Sequence, residues 1–129
     1  MRLLLDTNAW LWLTSAPERL SRPATDALTD LETEVFLSAA STWEMAIKVG
    51  IGRLRLPEAV HTYQTSRMAR HRVKSLPVDH AHAARVADLP ALHRDPFDRV
   101  LVAQAELEGL TLVTSDEFLK AYGISVLMT

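Results

Sequence analysis

The chain is 129 residues long, 48% hydrophobic and 23% charged, which suits one compact globular domain over residues 1–129 and leaves too little chain for two. Its 14 Lys+Arg against 16 Asp+Glu give a formal net charge of -2, which excludes a global positive field, so a polyanionic partner must be held locally. The absence of Cys excludes disulfides, thiolate zinc sites and cysteine nucleophiles, and restricts metal ligands to oxygen and His.

The apolar run Leu3-Leu4-Leu5 stops abruptly at Asp6-Thr7-Asn8, as a fully buried strand does where it passes into a helix start. The wider apolar opening, residues 3–13, is broken by Asp6 and Asn8 and has no basic leader or small-residue cleavage site. It reads as neither a signal peptide nor a membrane span, so a cytoplasmic protein with no membrane partner is expected. Helices are predicted over 9–13 and from a Ser21 cap to about residue 31, with Pro23 tolerated in the first turn, followed by a buried strand at Val35-Phe36-Leu37. Ser41-Thr42-Trp43-Glu44 has capping-box spacing and predicts a helix ending near Gly50 or Gly52.

The middle third predicts a helix after Pro57 to about Arg70, a short β-like piece over 73–78 interrupted by Pro77, and an Ala-rich helix from Asp79 to about Leu89. Asp95-Pro96 is a strong helix start, with an acceptor at the cap and proline at the first helical position. It leads into a helix through Glu108 that Gly109 closes. A strand over 110–113, a capped turn at Thr114-Ser115-Asp116, a short helix over 117–122 and a last strand over 124–127 complete the chain. Strands alternating with helices predict an α/β fold, a three-layer α/β/α domain whose central parallel sheet carries its site at the carboxyl ends of the strands.

Asp6, Glu44 and Asp116 sit where strands hand over to helices, and Asp98 lies in the first turn of the helix before the third strand, three residues after Asp95. Brought together at one sheet edge, these carboxylates would raise one another's pKa values and repel unless a cation neutralised them. An all-oxygen cluster selects a hard ion, Mg²⁺ or Mn²⁺, and suits phosphodiester hydrolysis by metal-activated water. Each acid also has an ordinary structural use: Asp6, Asp95 and Asp116 as helix caps, Glu44 as half of the Ser41 capping box, Asp98 as a first-turn acid favoured by the helix dipole. The five His residues (His61, His71, His80, His82 and His93) are taken as solvated or partner-facing, and Trp10, Trp12 and Trp43 as core or interface. Residues 48–74 hold Lys48, Arg53, Arg55, Arg67, Arg70, Arg72 and Lys74 against the single acid Glu58, either a solvated face or a phosphate-backbone contact, with Arg67, Arg70 and Arg72 as candidate RNA contacts.

The segments Leu3-Leu4-Leu5-Asp6-Thr7-Asn8, Ser41-Thr42-Trp43-Glu44, His93-Arg94-Asp95-Pro96-Phe97-Asp98-Arg99, Val102-Ala103-Gln104-Ala105 and Leu112-Val113-Thr114-Ser115-Asp116 together resemble a PIN-domain ribonuclease of the VapC toxin type. They span nearly the whole chain in the family's order, although each alone is short and unspecific. The resemblance implies a PIN-like domain and a Mg²⁺- or Mn²⁺-dependent endoribonuclease acting on RNA. It further implies the toxin of a type II toxin–antitoxin pair, commonly a homodimer held inactive by a VapB-like antitoxin. Residue by residue, Asp6, Glu44, Asp98 and Asp116 match the family's acidic quartet. The roles this suggests are metal ligation by Asp6, Asp98 and Asp116, with Glu44 binding the metal or orienting the attacking water. Thr7 and Asn8 match the polar pair after the first acid, Ser115 and Thr114 the hydroxyls beside the last, and Asp95 an acid of the Asp-Pro-Phe-Asp subgroup. A non-catalytic PIN-like module that works through antitoxin or partner binding, its acids serving as caps or receiving a partner's Arg, is the alternative reading.

Overall fold

The computed structural model describes residues 1–129. Five parallel strands form one sheet: β1 (Arg2–Leu5), β2 (Glu34–Ser38), β3 (Val73–Leu76), β4 (Thr111–Thr114) and β5 (Val126–Met128), in the order β3-β2-β1-β4-β5. The helices are α1 (Thr7–Ser15), α2 (Arg22–Thr29), α3 (Ala39–Gly50), α4 (Val60–His71), α5 (His80–Arg85) and α6 (Pro96–Glu108). Three 3-10 segments complete them: Pro17–Arg19, Val86–Asp88 and Glu117–Tyr122. No helix is long and apolar enough to cross a membrane.

Alternation along β1 builds two cores from one strand. Leu3 and Leu5 join Trp10, Val35, Leu37, Met45 and Val113 on the face that α1 to α4 cover. Leu4 joins Leu101, Val102, Ala105, Leu112 and Leu119 on the face covered by α6 and the segment 117–122. All three leucines are fully buried, which is why this run lacks the polar alternation of a half-exposed strand. The expected three-layer α/β/α arrangement is therefore present.

Strand order positions the site. The chain winds outward from β1 to β2 to β3, then crosses back to lay β4 on the other side of β1. Winding thus reverses between β1 and β4, and the crevice beyond the carboxyl ends of those two strands is where an open α/β sheet binds its ligand.

Several boundaries differ from expectation. Helix α3 starts at Ala39, capped by Ser38, whose Oγ accepts the Ala40 N–H at 3.0 Å. Ser41 is therefore already helical, and its buried Oγ has no partner. The capping box actually formed belongs to α5, where Asp79 and His82 satisfy each other's backbone N–H groups. Helix α4 begins at Val60 with no side-chain cap, slightly later than a start just after Pro57. Strand β3 ends at Leu76 because Pro77 has no N–H for the ladder. The Ala-rich helix tightens to 3-10 geometry after Arg85, and residues 117–122 are 3-10 throughout. Gly109 ends α6 at φ 65°, a left-handed conformation that a glycine adopts without steric cost, and its N–H reaches the Ala105 carbonyl.

Candidate metal centre

Asp6 leaves β1 and caps α1. Its N–H continues the ladder to the Val113 carbonyl at 3.0 Å, and its Oδ1 accepts the Ala9 N–H at 2.7 Å. Asp116 occupies the corresponding place after β4, its N–H bonded to Thr114 Oγ1 at 3.0 Å and its Oδ1 accepting the Phe118 N–H at 3.0 Å. Asp95 caps α6 by accepting the Phe97 N–H at 2.9 Å and the Asp98 N–H at 3.4 Å. The cap roles expected of these three residues are thus real, and they are the means by which the acids are aimed.

Glu44 has a different use. It lies in the second turn of α3, where the shifted helix start removes it from any capping box, and it is buried. The Thr7 hydroxyl donates to its Oε1 at 2.6 Å, and Lys48 Nζ stands 2.6 Å from its Oε2. A buried carboxylate one turn inside a helix, held by Thr7 of α1 on one side and by Lys48 of the next turn on the other, has no part in holding the helix end.

These elements close around a hollow of about 150 Å³ lined by nine residues, none apolar: Asp6, Thr7, Asn8, Glu44, Lys48, Asp95, Asp98, Ser115 and Asp116. Thr114 is fully buried beneath it, while Asn8 and Ser115 are exposed at its rim. The structure therefore brings together the whole quartet Asp6, Glu44, Asp98 and Asp116 with Thr7, Asn8, Asp95 and Ser115.

The electrostatics are those of crowded acids of which only Glu44 has a Lys partner, Lys48. Burial pushes the Asp6 carboxyl up, with Glu44 and Asp116 adding to the rise and the Thr114 hydroxyl and Ala9 N–H pulling it partly back. Asp98 is pushed up to about 7, by burial first, then by Asp95 and Asp6, with His93 opposing. No N–H or O–H donates a hydrogen bond to the Asp98 carboxylate, and the His93 ring stands beside it with Nε2 at 3.6 Å. A desolvated carboxylate with no donor, facing three other acids, is what a hard cation would stabilise, and the all-oxygen set fits Mg²⁺ or Mn²⁺.

Two residues at the site lack any metal-ligand spacing in the sequence. Lys48 is placed by its i,i+4 relation to Glu44, a signal easily read as a surface helix pair. His93 sits in the loop before α6, only partly exposed, and comes within 2.8 Å of Asp116, so it is not the freely solvated residue expected. His82 also departs from that expectation, being buried between Asp79 and Glu108. Trp10 is core, Trp12 lies under the Arg19 guanidinium at 4.5 Å, and Trp43 is 63% exposed and packs edge-on to Phe97.

Arg67, Arg70 and Arg72 are not brought to the acids. Arg67 pairs with Glu58 and lies over the Tyr63 ring. Arg70 and Arg72 line a hollow with Thr29, Asp30 and Thr33. Thr33 and Arg72 immediately precede β2 and β3, so this hollow lies at the amino ends of the strands, opposite the site. A groove of about 410 Å³ beside Glu44 and Asp95 instead carries Lys48, Arg53 and Arg94 over Ile47, Ile51 and Phe97.

Residues 3–124 match the family model of the PIN domain. Ribonuclease VapC22 of Mycobacterium tuberculosis is 31% identical over 121 residues, 93% of this chain and 91% of that protein. Ribonuclease VapC16 of the same organism is 41% identical over 75 residues, a match taking in 53% of this chain and only 53% of that protein's length. Among solved structures, VapBC2 from Rickettsia felis bound to a DNA fragment from its promoter superposes with a TM-score of 0.75 at 15% identity, covering 99% of this chain and 98% of that one. The chain belongs to the PIN-domain family, on its VapC branch.

Proposed function

We propose that this chain is a divalent-metal-dependent endoribonuclease, the toxin of a type II toxin–antitoxin pair, which hydrolyses RNA phosphodiester bonds with water. The observation that carries this reading is the convergence of Asp6, Glu44, Asp98 and Asp116 on one small, wholly polar hollow at the winding switch of the sheet. VapC-type relatives support RNA as the substrate.

Asp6, Asp98 and Asp116 are the residues that would hold Mg²⁺ or Mn²⁺. The ion, when bound, supplies charge that polarises the scissile phosphate and lowers the pKa of a coordinated water. Glu44 binds the ion or orients the attacking water, with Thr7 fixing one of its oxygens and Lys48 the other. Thr114 supports Asp6 and Asp116 from beneath. Asn8 and Ser115, at the rim, offer polar groups to the phosphate, and Asp95 holds Asp98 by capping α6.

The substrate strand enters along the groove next to the acids. Arg53 and Arg94 there have no carboxylate within ion-pair distance, and Phe97 with Ile47 and Ile51 gives a base an apolar floor. That groove is a nearer source of positive charge than Arg67, Arg70 and Arg72. A VapB-like antitoxin that blocks this surface, a homodimeric state and a cytoplasmic location complete the proposal.

The test is cleavage of total cellular RNA by purified, antitoxin-free protein with Mg²⁺, Mn²⁺ or EDTA. Discrete cuts that need the metal are expected. Folded protein that cuts nothing with either ion would favour the non-catalytic binding module.

A further inference from the structure

We infer that His93 is a positioning residue of the acid cluster: its ring N–H holds the Asp116 carboxylate in place, and its ring is not a metal ligand. The inference rests on the proposed metal centre and adds a member that donates rather than ligates.

Three atoms, one each from His93, Asp98 and Asp116, lie within 4.8 Å of one another, so distance alone allows a three-ligand site that includes the imidazole. The second ring nitrogen decides otherwise. His93 Nδ1 lies 3.1 Å from the Asp95 backbone nitrogen, and that N–H must donate to a lone pair on Nδ1. A neutral ring with its lone pair at Nδ1 carries its proton on Nε2. Nε2 is 2.8 Å from Asp116 Oδ2, the distance of a charge-assisted hydrogen bond. Ligation through Nε2 would require the opposite tautomer, with an N–H at Nδ1 pointed at the Asp95 N–H. The backbone thus selects the donor form.

Asp116 is then fixed at both oxygens, Oδ1 by the Phe118 N–H at 3.0 Å and Oδ2 by His93. Each oxygen keeps a further lone pair, and a carboxylate whose rotation is stopped in this way is the usual partner of a metal. The loop bearing His93 is itself tied down by Arg99. Its guanidinium donates to the carbonyls of Pro90 at 2.8 Å and Val86 at 3.0 Å, and to the Tyr122 hydroxyl at 3.2 Å. In the run from His93 to Arg99, His93 orients Asp116 just after β4, Asp95 orients both His93 and Asp98, and Arg99 anchors the loop.

The experiment measures Mn²⁺ binding to the whole chain by calorimetry for the wild type, His93→Leu and His93→Gln, with metal-free melting as the control for folding. Pulsed EPR of the wild-type Mn²⁺ complex accompanies it. His93→Leu should weaken Mn²⁺ binding by about 10- to 100-fold, the usual cost of losing a group that orients a ligand. His93→Gln, which keeps an N–H at similar reach, should recover most of that loss. The wild-type spectrum should show no directly coordinated nitrogen. A nitrogen coupling of directly bound strength would overturn the inference, as would His93→Leu binding Mn²⁺ like the wild type or His93→Gln failing to rescue while folded. Wild-type protein that binds no Mn²⁺ at all would instead overturn the metal centre on which the inference rests.

Discussion

Asp98 is the residue at which stability and the proposed chemistry oppose each other. Its carboxyl is pushed from the ordinary 3.8 up to about 7 in the folded chain, so the fold binds its proton more tightly than the unfolded chain does. Stability from this source is present below about pH 4 and is lost as pH rises through about 7. Asp6 shifts in the same direction. The metal-free protein should therefore be less stable at pH 8 than at pH 5.5, by on the order of a couple of kcal/mol, and should melt at a lower temperature there. Mn²⁺ should raise the melting temperature more at pH 8, because the ion competes with the protons. Asp98→Asn, which removes the charge at similar volume, should melt higher than the wild type at pH 8 without metal. Scanning calorimetry at the two pH values checks all three, and a melting temperature independent of pH and of Mn²⁺ would contradict them. Asp6, Asp95, Asp98 and Asp116 were legible because each stands at a helix start that local pattern marks, whereas Glu44 was singled out through a capping box that the structure does not form. His93 was not, since it reaches Asp116 across 23 residues of chain through the packing of a loop, which no local spacing encodes.

At the scale of elements, α3 shows how a cap signal misleads when two candidates lie three residues apart. Ser38 and Ser41 both precede an apolar helical run, but β2 extends through Ser38, which fixes where the strand can turn. Ser38 therefore caps, and Ser41 is carried into the buried face. Ser38→Ala should cost about 1 kcal/mol, whereas Ser41→Ala, which removes a buried hydroxyl without a partner, should be neutral or slightly stabilising. Urea denaturation of the two variants measures this; equal losses would mean that Ser41 forms a cap in solution. The same shift of one helical turn decides what Glu44 is for. Where proline or glycine chemistry left one solution, as at Asp95-Pro96 and Gly109, the helix α6 matches its predicted bounds. The start of α4 was missed because no side chain caps it.

At the scale of the molecule, alternation of strands and helices made the three layers legible, but not the order of the strands. That order places β1 between β2 and β4 and so sets Asp6 beside Asp116. It also sorts the basic residues, since the carboxyl edge receives Lys48, Arg53 and Arg94 while Arg70 and Arg72 go to the amino edge; a linear reading of residues 48–74 merges the two groups. With a net charge of -2, the RNA affinity that the proposed function requires is expected to come from that local groove and to weaken steeply with salt. Arg53→Ala with Arg94→Ala should weaken single-stranded RNA binding and reduce the salt slope by about one to two, whereas Arg70→Ala with Arg72→Ala should leave both nearly unchanged. Fluorescence anisotropy across a salt series separates the pairs, and the reverse ranking would move the substrate to the other edge.

The central claim is that the acid cluster at the β1/β4 switch is the metal-dependent nuclease site. It is tested most directly by comparing cleavage of total RNA by the wild type and Asp98→Asn, both prepared identically and assayed at saturating Mn²⁺. The wild type should give discrete cuts that EDTA abolishes. Asp98→Asn should be folded and at least about a thousandfold slower, since it loses a ligand to the ion that bears the transition-state charge. Asp98→Asn protein cutting at the wild-type rate would contradict the account.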